Sequence, residues 1–126
     1  MATAVVGRGA PRLLVVDDDV DVRELLVEVL MASGFDVAVA ANGREALQVL
    51  KHDATTGHLP RVVLLDVHMP VMDGLEFRAH QKADPDLSGI PVVTISSDWE
   101  ARVDAQATLK KPLEFGKLLD TLNRFC

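Results

Sequence analysis

Acidic residues follow two short apolar runs of this sequence. Asp17 and Asp18 come directly after one run, and Asp66 comes directly after another. If the fold gathers these carboxylates, they repel one another and raise each other's pKa values unless a cation lies between them. Mg²⁺ prefers oxygen ligands and commonly takes one or two carboxylates together with a phosphate oxygen. The three acids therefore predict a site for Mg²⁺, or Mn²⁺, that handles a phosphoryl group.

The other groups that phosphoryl transfer needs are also present. A carboxylate can attack phosphorus while a metal screens the charge of the incoming group, and we assign this role to Asp66. The transfer depends mainly on positioning and charge neutralisation, so it calls for a cation opposite the metal and for a hydroxyl donor. Lys111, which follows a very short predicted strand, and Ser96, which follows an apolar one, are predicted to fill these two roles.

The elements that must position these residues are predicted from hydrophobic periodicity. Short continuous apolar runs indicate buried strands, and apolar residues at helical spacing indicate amphipathic helices between them. The alternation predicts an α/β fold, a doubly wound parallel sheet with helices on both faces and with its site outside the carboxyl ends of the strands. The predicted strands are 12–16, 35–39, 62–66, 90–95 and 108–110, the helical patterns are 22–30, 46–50, 75–83 and 118–125, and 52–60 is a predicted loop.

Length and composition indicate one domain. The 126 residues are 48% apolar and 25% charged, which is ordinary for a globular protein. The net charge of -6 argues against direct nucleic-acid binding, and a single cysteine excludes an internal disulfide. Because we find no signal peptide and no segment of membrane-spanning length, we expect a cytoplasmic protein without membrane contact. Residues 1–11 are predicted to be a flexible leader and 12–126 the domain.

Taken together, these motifs resemble the receiver domains of bacterial response regulators, which serve two-component signalling. The resemblance rests on four features and covers 12–125: the acids of 17–19, the segment 64–74 that reads Leu-Leu-Asp-Val-His-Met-Pro-Val-Met-Asp-Gly, Ser96, and the pair Lys111-Pro112. It implies a flavodoxin-like fold of five parallel strands and five helices. The expected protein is a stand-alone receiver, similar to chemotaxis regulators.

The resemblance also implies roles and partners. The phosphoryl donor would be a sensor histidine kinase or a histidine phosphotransfer protein, and the signal would pass to a downstream protein of unknown identity. We expect a monomer or weak dimer that is not an enzyme beyond self-catalysed phosphotransfer and autodephosphorylation. By resemblance, Asp66 is the phosphoacceptor. The metal would be bound directly by Asp18, directly or through water by Asp17, and by the backbone carbonyl of His68. The hydroxyl of Ser96 would bond the phosphoryl group, and Lys111 would be the family's lysine before a commonly cis proline.

Two departures from the family pattern lie near the fifth strand. The interval from Ser96 to Lys111 is shorter than usual by roughly two helical turns of ~3.6 residues. We therefore expect the fourth helix of the family pattern to be short or irregular, with Trp99 and Val103 as its anchors. Thr108 occupies the position where many receivers carry Tyr or Phe, so we expect phosphorylation to order or disorder this segment instead of moving a ring.

Two other functions compete with this interpretation. The first is a receiver-like binding module that acts without phosphorylation, which the shortened interval favours and the complete acidic site opposes. The second is a phosphatase similar to haloacid dehalogenases, with Asp17 as nucleophile and Asp19 as acid. A simpler interpretation of Asp19 is the N-cap of the following helix.

Overall fold

Strands and helices alternate along the chain. The computed structural model describes residues 9–97 and 103–126, so most of the predicted leader lies outside the described residues. The described elements are β1 (Arg12–Val16), α1 (Val20–Ala32), β2 (Asp36–Ala40), α2 (Gly43–Thr56), β3 (Val62–Asp66), α3 (Gly74–Ala83), β4 (Val92–Ser96), β5 (Ala107–Lys110) and α4 (Phe115–Phe125).

The five strands form one parallel sheet in the order β2-β1-β3-β4-β5. This arrangement confirms the predicted doubly wound, flavodoxin-like sheet. The connections run in opposite directions from β1, so β2 lies on one side of it and β3 on the other. In such sheets the crevice for a ligand opens at the carboxyl ends of the strands on either side of this reversal. The carboxyl ends of β1 and β3 are therefore where a site is expected.

Two apolar layers cover the two faces of the sheet. Alternate residues of a strand point to opposite faces, so Leu14 and Val16 join one layer while Leu13 and Val15 join the other. The first layer includes side chains of α2 and α3, and the second includes side chains of α1 and α4. Because β1 is buried on both faces, its sequence is continuously apolar instead of alternating.

Polar side chains cap three of the helices at the carboxyl edge of the sheet. The carboxylate of Asp19 accepts hydrogen bonds at the start of α1, as the simpler interpretation of this residue predicted. Asn42 accepts from the backbone N–H of Glu45 at 3.0 Å, and Glu45 accepts in return from the N–H of Ala41 at 3.0 Å. Asp73 caps α3 in the same way. These caps fix where the loops after β1, β2 and β3 turn back toward the helices.

The predicted loop at 52–60 was wrong in its first half, because α2 continues to Thr56. The extra turn is held by Asp53, whose carboxylate is buried and accepts from Nε and Nη2 of Arg12 at 3.2 Å each. The helix ends at Gly57, whose φ of +76° suits a glycine C-cap. A partly buried ion pair with Arg12 of the distant strand β1 therefore stabilises the part of the helix beyond its apolar stripe.

The connection from β4 to β5 lies partly outside the described residues. Residues 98–102 are not described, so the predicted short or irregular helix and its anchor Trp99 lie largely there. The described residues 103–106 form no helix, and Val103 is half-buried. Among the helices in the described ranges, none has both the length and the apolar character needed to cross a membrane.

Candidate functional site

Three carboxylates meet where β1 and β3 end. Asp17 and Asp18 follow β1, Asp66 is the last residue of β3, and these strands are parallel neighbours. One carboxylate oxygen from each residue lies within 4.8 Å of the others. Asp17 and Asp66 are buried, whereas Asp18 is exposed. The structure therefore brings together the three acids that the sequence placed at this edge.

Asp17 carries the clearest sign of an oxygen-ligated cation site. Its Oδ1 accepts a hydrogen bond from the N–H of Asp19 at 2.9 Å, but its buried Oδ2 has no partner among the described residues. Burial raises the pKa of Asp17, with the neighbouring charges of Asp18 and Asp19 adding to the effect. A buried carboxylate oxygen without a donor is unfavourable unless a cation approaches it. The donor set, all carboxylate oxygens, fits Mg²⁺.

Asp66 has a strongly shifted pKa. Burial, and then the negative charge of Asp17, raise the pKa of Asp66 from 3.8 to about 6. The charge of Lys111 and a hydrogen bond from the backbone N–H of His68 act in the opposite direction. Near neutral pH the carboxylate is therefore ionised in an environment that disfavours its charge. The ionised form of such a carboxyl is stabilised by any positive charge brought to the same edge.

Lys111 supplies one such charge. Its Nζ lies 3.6 Å from Oδ1 of Asp66, and its side chain is 37% exposed. The backbone N–H of Lys111 donates to the carbonyl of Ser96 at 3.2 Å, which holds the end of β5 against the end of β4. The Lys111–Pro112 peptide bond is cis. The amine of Lys111 can therefore remain close to Asp66 while it is still accessible to solvent.

Ser96 and His68 flank Asp66 on two sides. Ser96 is the buried last residue of β4, one step beyond Ile95, which pairs with Asp66 in the sheet. His68 is exposed, two residues beyond Asp66 in the loop that follows β3. Its backbone N–H donates to the carboxylate of Asp66. Every residue that the sequence assigned to the site therefore lies at one edge of the sheet.

The loop between β3 and α3, residues 67–73, is here called the acceptor loop. It is tightly bent: the N–H of Met72 donates to the carbonyl of Pro70 at 2.7 Å, and Val71 between them has a φ of +69°. This combination is a γ-turn of the strained kind, here centred on a β-branched residue. The backbone N–H of Gly43, in α2, donates to the carbonyl of Met72 at 2.9 Å.

Sequence reasoning missed Val71 and Gly43 as contributors to the site. The pair Asn42-Gly43, followed by Glu45, was a signal for a helix start but not for a contact with a distant loop. Of the two methionines in the acceptor loop, Met69 is buried in the core and Met72 packs against it, so both serve as packing residues.

Comparisons with known proteins point to one family. The chain matches the response regulator receiver domain family over residues 13–123. It is 41% identical over 121 residues to the transcriptional regulatory protein PrrA of Mycobacterium tuberculosis, an overlap of 90% of this chain and 48% of PrrA. It is 33% identical over 122 residues to an uncharacterized 14.6 kDa protein of Leptolyngbya boryana, an overlap of 90% and 88%. This chain thus spans less than half the length of PrrA.

A solved structure gives the same result. The chemotaxis protein CheY4 of Vibrio cholerae superposes with a TM-score of 0.80 at 30% identity, covering 94% of this chain and 100% of CheY4. A structure described as that of a putative response regulator from Chloroflexus aurantiacus superposes with a TM-score of 0.83 at 30% identity, covering 92% of this chain and 97% of that one. The likeness therefore extends over the sheet, the helices and the edge that carries the acids.

Proposed function

The chain belongs to the response regulator receiver domains, the phosphoacceptor domains of two-component signalling, and from that premise we propose that Asp66 is its acceptor. The observation that supports this assignment best is the carboxylate pair of Asp17 and Asp66. One of these carboxyls has a buried oxygen without a donor, and the other has a pKa of about 6. Both features are unfavourable in the metal-free protein and are relieved when positive charge and a phosphoryl group arrive.

The proposed step is a phosphoryl transfer from the imidazole of a donor histidine. A carboxylate oxygen of Asp66 attacks phosphorus, a new P–O bond forms, and the P–N bond breaks with its electron pair returning to the imidazole, which takes up a proton from solvent. Lys111 stabilises negative charge on the phosphoryl oxygens, and the hydroxyl of Ser96 donates to one of them. Bound Mg²⁺, held by Asp17, Asp18, Asp66 and the carbonyl of His68, would supply further charge neutralisation.

This activity differs from that of a turnover enzyme. Receiver domains are generally not enzymes in the usual sense. We propose that this chain catalyses only its own phosphorylation and the later hydrolysis of its aspartyl phosphate by water. The signal then passes by protein contact, since the net charge of -6 disfavours nucleic acid. A cytoplasmic location and a monomeric or weakly dimeric state remain predictions.

The donor is proposed to be a sensor histidine kinase or a histidine phosphotransfer protein that docks beside Lys111. A cavity of about 390 Å³ adjoins this residue between α1 and the start of α4. Its rim includes Leu25 and Phe115, which are large apolar side chains exposed by 49% and 38%. Lys111 lines this cavity and its Nζ lies 3.6 Å from Asp66, so we expect a donor that places its phosphohistidine within reach of Asp66 to contact this rim. The lining residues are Val22, Leu25, Leu26, Lys111, Pro112, Leu113 and Phe115.

The acceptor assignment is tested by intact-mass spectrometry with acetyl phosphate and Mg²⁺. We expect one phosphoryl group on the parent protein and none on Asp66→Asn, because the amide keeps the shape and removes the nucleophile. Asp120→Asn, which changes an exposed acid of α4, is the matched control and should be labelled like the parent. Full labelling of Asp66→Asn would move the acceptor elsewhere, with Asp17 the first residue to test.

Docking is tested with a phosphorylated histidine phosphotransfer domain as donor. Leu25→Asp should slow transfer from this donor and leave labelling by acetyl phosphate unchanged, since the small donor needs no docking surface. Val39→Asp is the control, because Val39 is exposed to a similar extent but lies on the edge strand β2. Equal transfer to both variants would remove the docking assignment and leave Asp66 as the acceptor.

The phosphatase alternative gains no support from the geometry around Asp19. Its Oδ1 accepts from the backbone N–H groups of Asp21 and Val22 at 3.0 and 3.3 Å, so it serves as a helix cap. It is also absent from the described carboxylate cluster, which consists of Asp17, Asp18 and Asp66. If the protein hydrolysed small phosphate esters with multiple turnovers, the phosphatase alternative would be supported.

A further inference from the structure

Gly43 lets the start of α2 approach the acceptor loop at backbone distance. A Cβ atom added at Gly43 would lie 2.8 Å from both the carbonyl oxygen and Cγ of Met72, and 3.0 Å from Cβ of Phe77. The Met72 side chain could move aside, but the carbonyl oxygen belongs to the loop backbone. It also accepts the N–H of Gly43 at 2.9 Å. Any side chain at this position would therefore push the loop itself.

A second close approach holds the other end of the same loop. The N–H of Gly74 donates to the carbonyl of Val67 at 2.8 Å. A Cβ atom added there would lie 3.0 Å from Cα of Val67 and 3.2 Å from the carbonyl oxygen of Asp66. Between these two points the chain makes the γ-turn at Val71. The acceptor loop is thus held between two helix starts.

The position of this loop bears directly on Asp66. The loop leaves β3 at Asp66, and the backbone N–H of His68 within it donates to the carboxylate of Asp66. A bent loop fixed at both ends has little room to absorb a displacement at Met72. A shift of the Met72 carbonyl is therefore expected to reach His68 and the acceptor carboxylate.

We propose that Gly43 is a positioning residue of the phosphoacceptor site, acting through the backbone of the acceptor loop, an inference that rests on the proposed function. Gly43 is not a member of the acidic cluster, which consists of Asp17, Asp18 and Asp66 among the described residues. It fixes the carbonyl of Met72, and this contact holds the loop that carries His68 beside Asp66. The consequence is that a single methyl group on α2 weakens both cation binding and phosphoryl acceptance.

The test compares Gly43→Ala with Gly116→Ala. A Cβ atom on Gly116, at the exposed start of α4, meets nothing within 4 Å, so this variant controls for the change of glycine to alanine in a helix. Mg²⁺ affinity is measured by calorimetry, and the initial rate of labelling by acetyl phosphate is measured at one subsaturating Mg²⁺ concentration. Gly43→Ala should lose about tenfold or more in both, the range seen when groups supporting a metal site are altered. Gly116→Ala should match the parent.

Trimming Met72 separates the backbone contact from side-chain packing. Met72→Ala removes Cγ and keeps the backbone bond to Gly43, so it should remain near the parent. The double variant Gly43→Ala/Met72→Ala relieves the contact with Cγ but not the contact with the carbonyl oxygen, so it should stay impaired. Recovery of Mg²⁺ affinity in the double variant would assign the effect to packing and overturn the proposal.

The two readouts distinguish failure of this inference from failure of the proposed function. If the parent is labelled and Gly43→Ala equals it in both readouts, the positioning role is wrong and the acceptor assignment stands. If the parent binds Mg²⁺ but is never labelled, the acceptor assignment fails, and the change in Mg²⁺ affinity alone decides the role of Gly43. A parent that neither binds Mg²⁺ nor is labelled removes both proposals.

A measurement on the parent protein covers the case in which Gly43→Ala does not fold. Amide hydrogen exchange is compared with and without Mg²⁺. The amide of Gly43 should exchange more slowly with Mg²⁺ bound, because the loop carbonyl that it bonds becomes better fixed. The amide of Ala46, which donates within α2 to the carbonyl of Asn42, is the internal control and should change little. Equal exchange of the Gly43 amide in both conditions overturns the proposal.

Discussion

The carboxylates at the end of β1 and β3 are held in an electrostatically unfavourable state. Asp66 is 5% exposed and Asp17 is 2% exposed, and burial raises the pKa of both. Among the described residues around the two carboxyls, Lys111 lowers the pKa of both by its positive charge. The metal-free site therefore reduces the stability of the fold near neutral pH, and the same feature makes it receptive to a cation.

This instability predicts a specific dependence on pH. The pKa of Asp66 is about 6 in the folded protein and 3.8 ordinarily, so the folded state holds its proton more tightly than the unfolded state. The free energy of unfolding should therefore fall as pH rises from about 4 to about 6, and this loss is complete above that window. Asp66→Asn should be more stable than the metal-free parent at pH 7 by roughly 2–3 kcal/mol, and by much less at pH 4.

Urea unfolding in the presence of a chelator at the two pH values measures this difference. Other acids titrate in both proteins, so the difference between variant and parent isolates Asp66. Saturating Mg²⁺ should reduce the difference in stability between Asp66→Asn and the parent, because Mg²⁺ binds the folded parent and not its unfolded chain. A stability difference that is the same at pH 4 and pH 7 contradicts the assigned pKa.

Asp18 provides a second prediction for a single residue. It is the exposed member of the cluster, so its carboxylate can bind a cation without a large burial penalty. Asp18→Ala should weaken Mg²⁺ binding and remove one of the crowded negative charges that repel each other in the metal-free protein. Asp21→Ala, an exposed acid in the first turn of α1, is the control. Equal Mg²⁺ affinity in the two variants would contradict the assignment of Asp18 as a metal ligand.

Among the elements, the acceptor loop stores backbone strain. Val71 is 65% exposed, and its φ of +69° is unfavourable for a β-branched residue. Glycine adopts this conformation without a Cβ clash. Although a change to glycine usually lowers the free energy of unfolding, Val71→Gly should therefore raise it, by about 1 kcal/mol. Val39→Gly, at an exposed strand position, should instead be destabilising. Denaturant unfolding of both variants checks this, and equal losses would show that the turn is not strained.

Helix α3 holds the described part of the connection between β4 and β5. Arg78 is buried, and its Nε donates to the carbonyl of Asp104 at 2.6 Å while Nη1 donates to Oε1 of Gln81 at 2.8 Å. Gln81 in turn donates to the carbonyls of Leu87 and Ile90 at 3.0 Å each. This network joins α3 to the segments on both sides of β4.

Removing Arg78 should therefore be strongly destabilising. Arg78→Ala leaves Oε1 of Gln81 and the Asp104 carbonyl without their donor, and we expect a loss of about 3 kcal/mol in the free energy of unfolding. Lys82→Ala is the control, because Lys82 pairs with the carboxylate of Asp104 but both side chains are well exposed. Surface pairs of this kind contribute little. Similar losses in the two variants would argue against a buried network.

At the scale of the whole molecule, the question is how phosphorylation reaches a partner. Thr108 stands where many receivers place an aromatic residue, and its Oγ1 lies 2.9 Å from Oγ1 of the buried Thr94. This hydroxyl pair joins β4 to β5 two residues before Ser96. A ring that changes rotamer is therefore absent at this position, and we expect the change to pass through the backbone next to the site.

Amide hydrogen exchange with and without beryllofluoride, a phosphoryl mimic, tests this route. We expect protection to change in 103–109, because Ser96 ends the strand that precedes this connection and a bond to the phosphoryl group can bias a segment of low stability. The prediction extends to 98–102, outside the described residues. A change confined to the acceptor loop would mean that the protein signals through another face.

The order of the elements, and the grouping of the proposed site residues at one edge of the sheet, could be predicted from the sequence. Buried parallel strands are continuously apolar, and the carboxyl ends of such strands meet at one edge of the sheet, so Asp17, Asp66, Ser96 and Lys111 could be placed together from their positions alone. Element types depend mainly on patterns within a few residues, which the sequence displays directly.

Contacts between distant segments were decided only by the tertiary structure. The last turn of α2 depends on an ion pair with Arg12, 41 residues away from Asp53, and no local pattern announces it. The pKa of Asp66 likewise depends on how deeply the folded chain buries it and on the charge of Asp17, which follows the neighbouring strand β1. The close approach of Gly43 to Met72 arises from the packing of α2 against the acceptor loop. Each of these properties depends on interatomic distances across the fold, which periodicity and motif spacing do not contain.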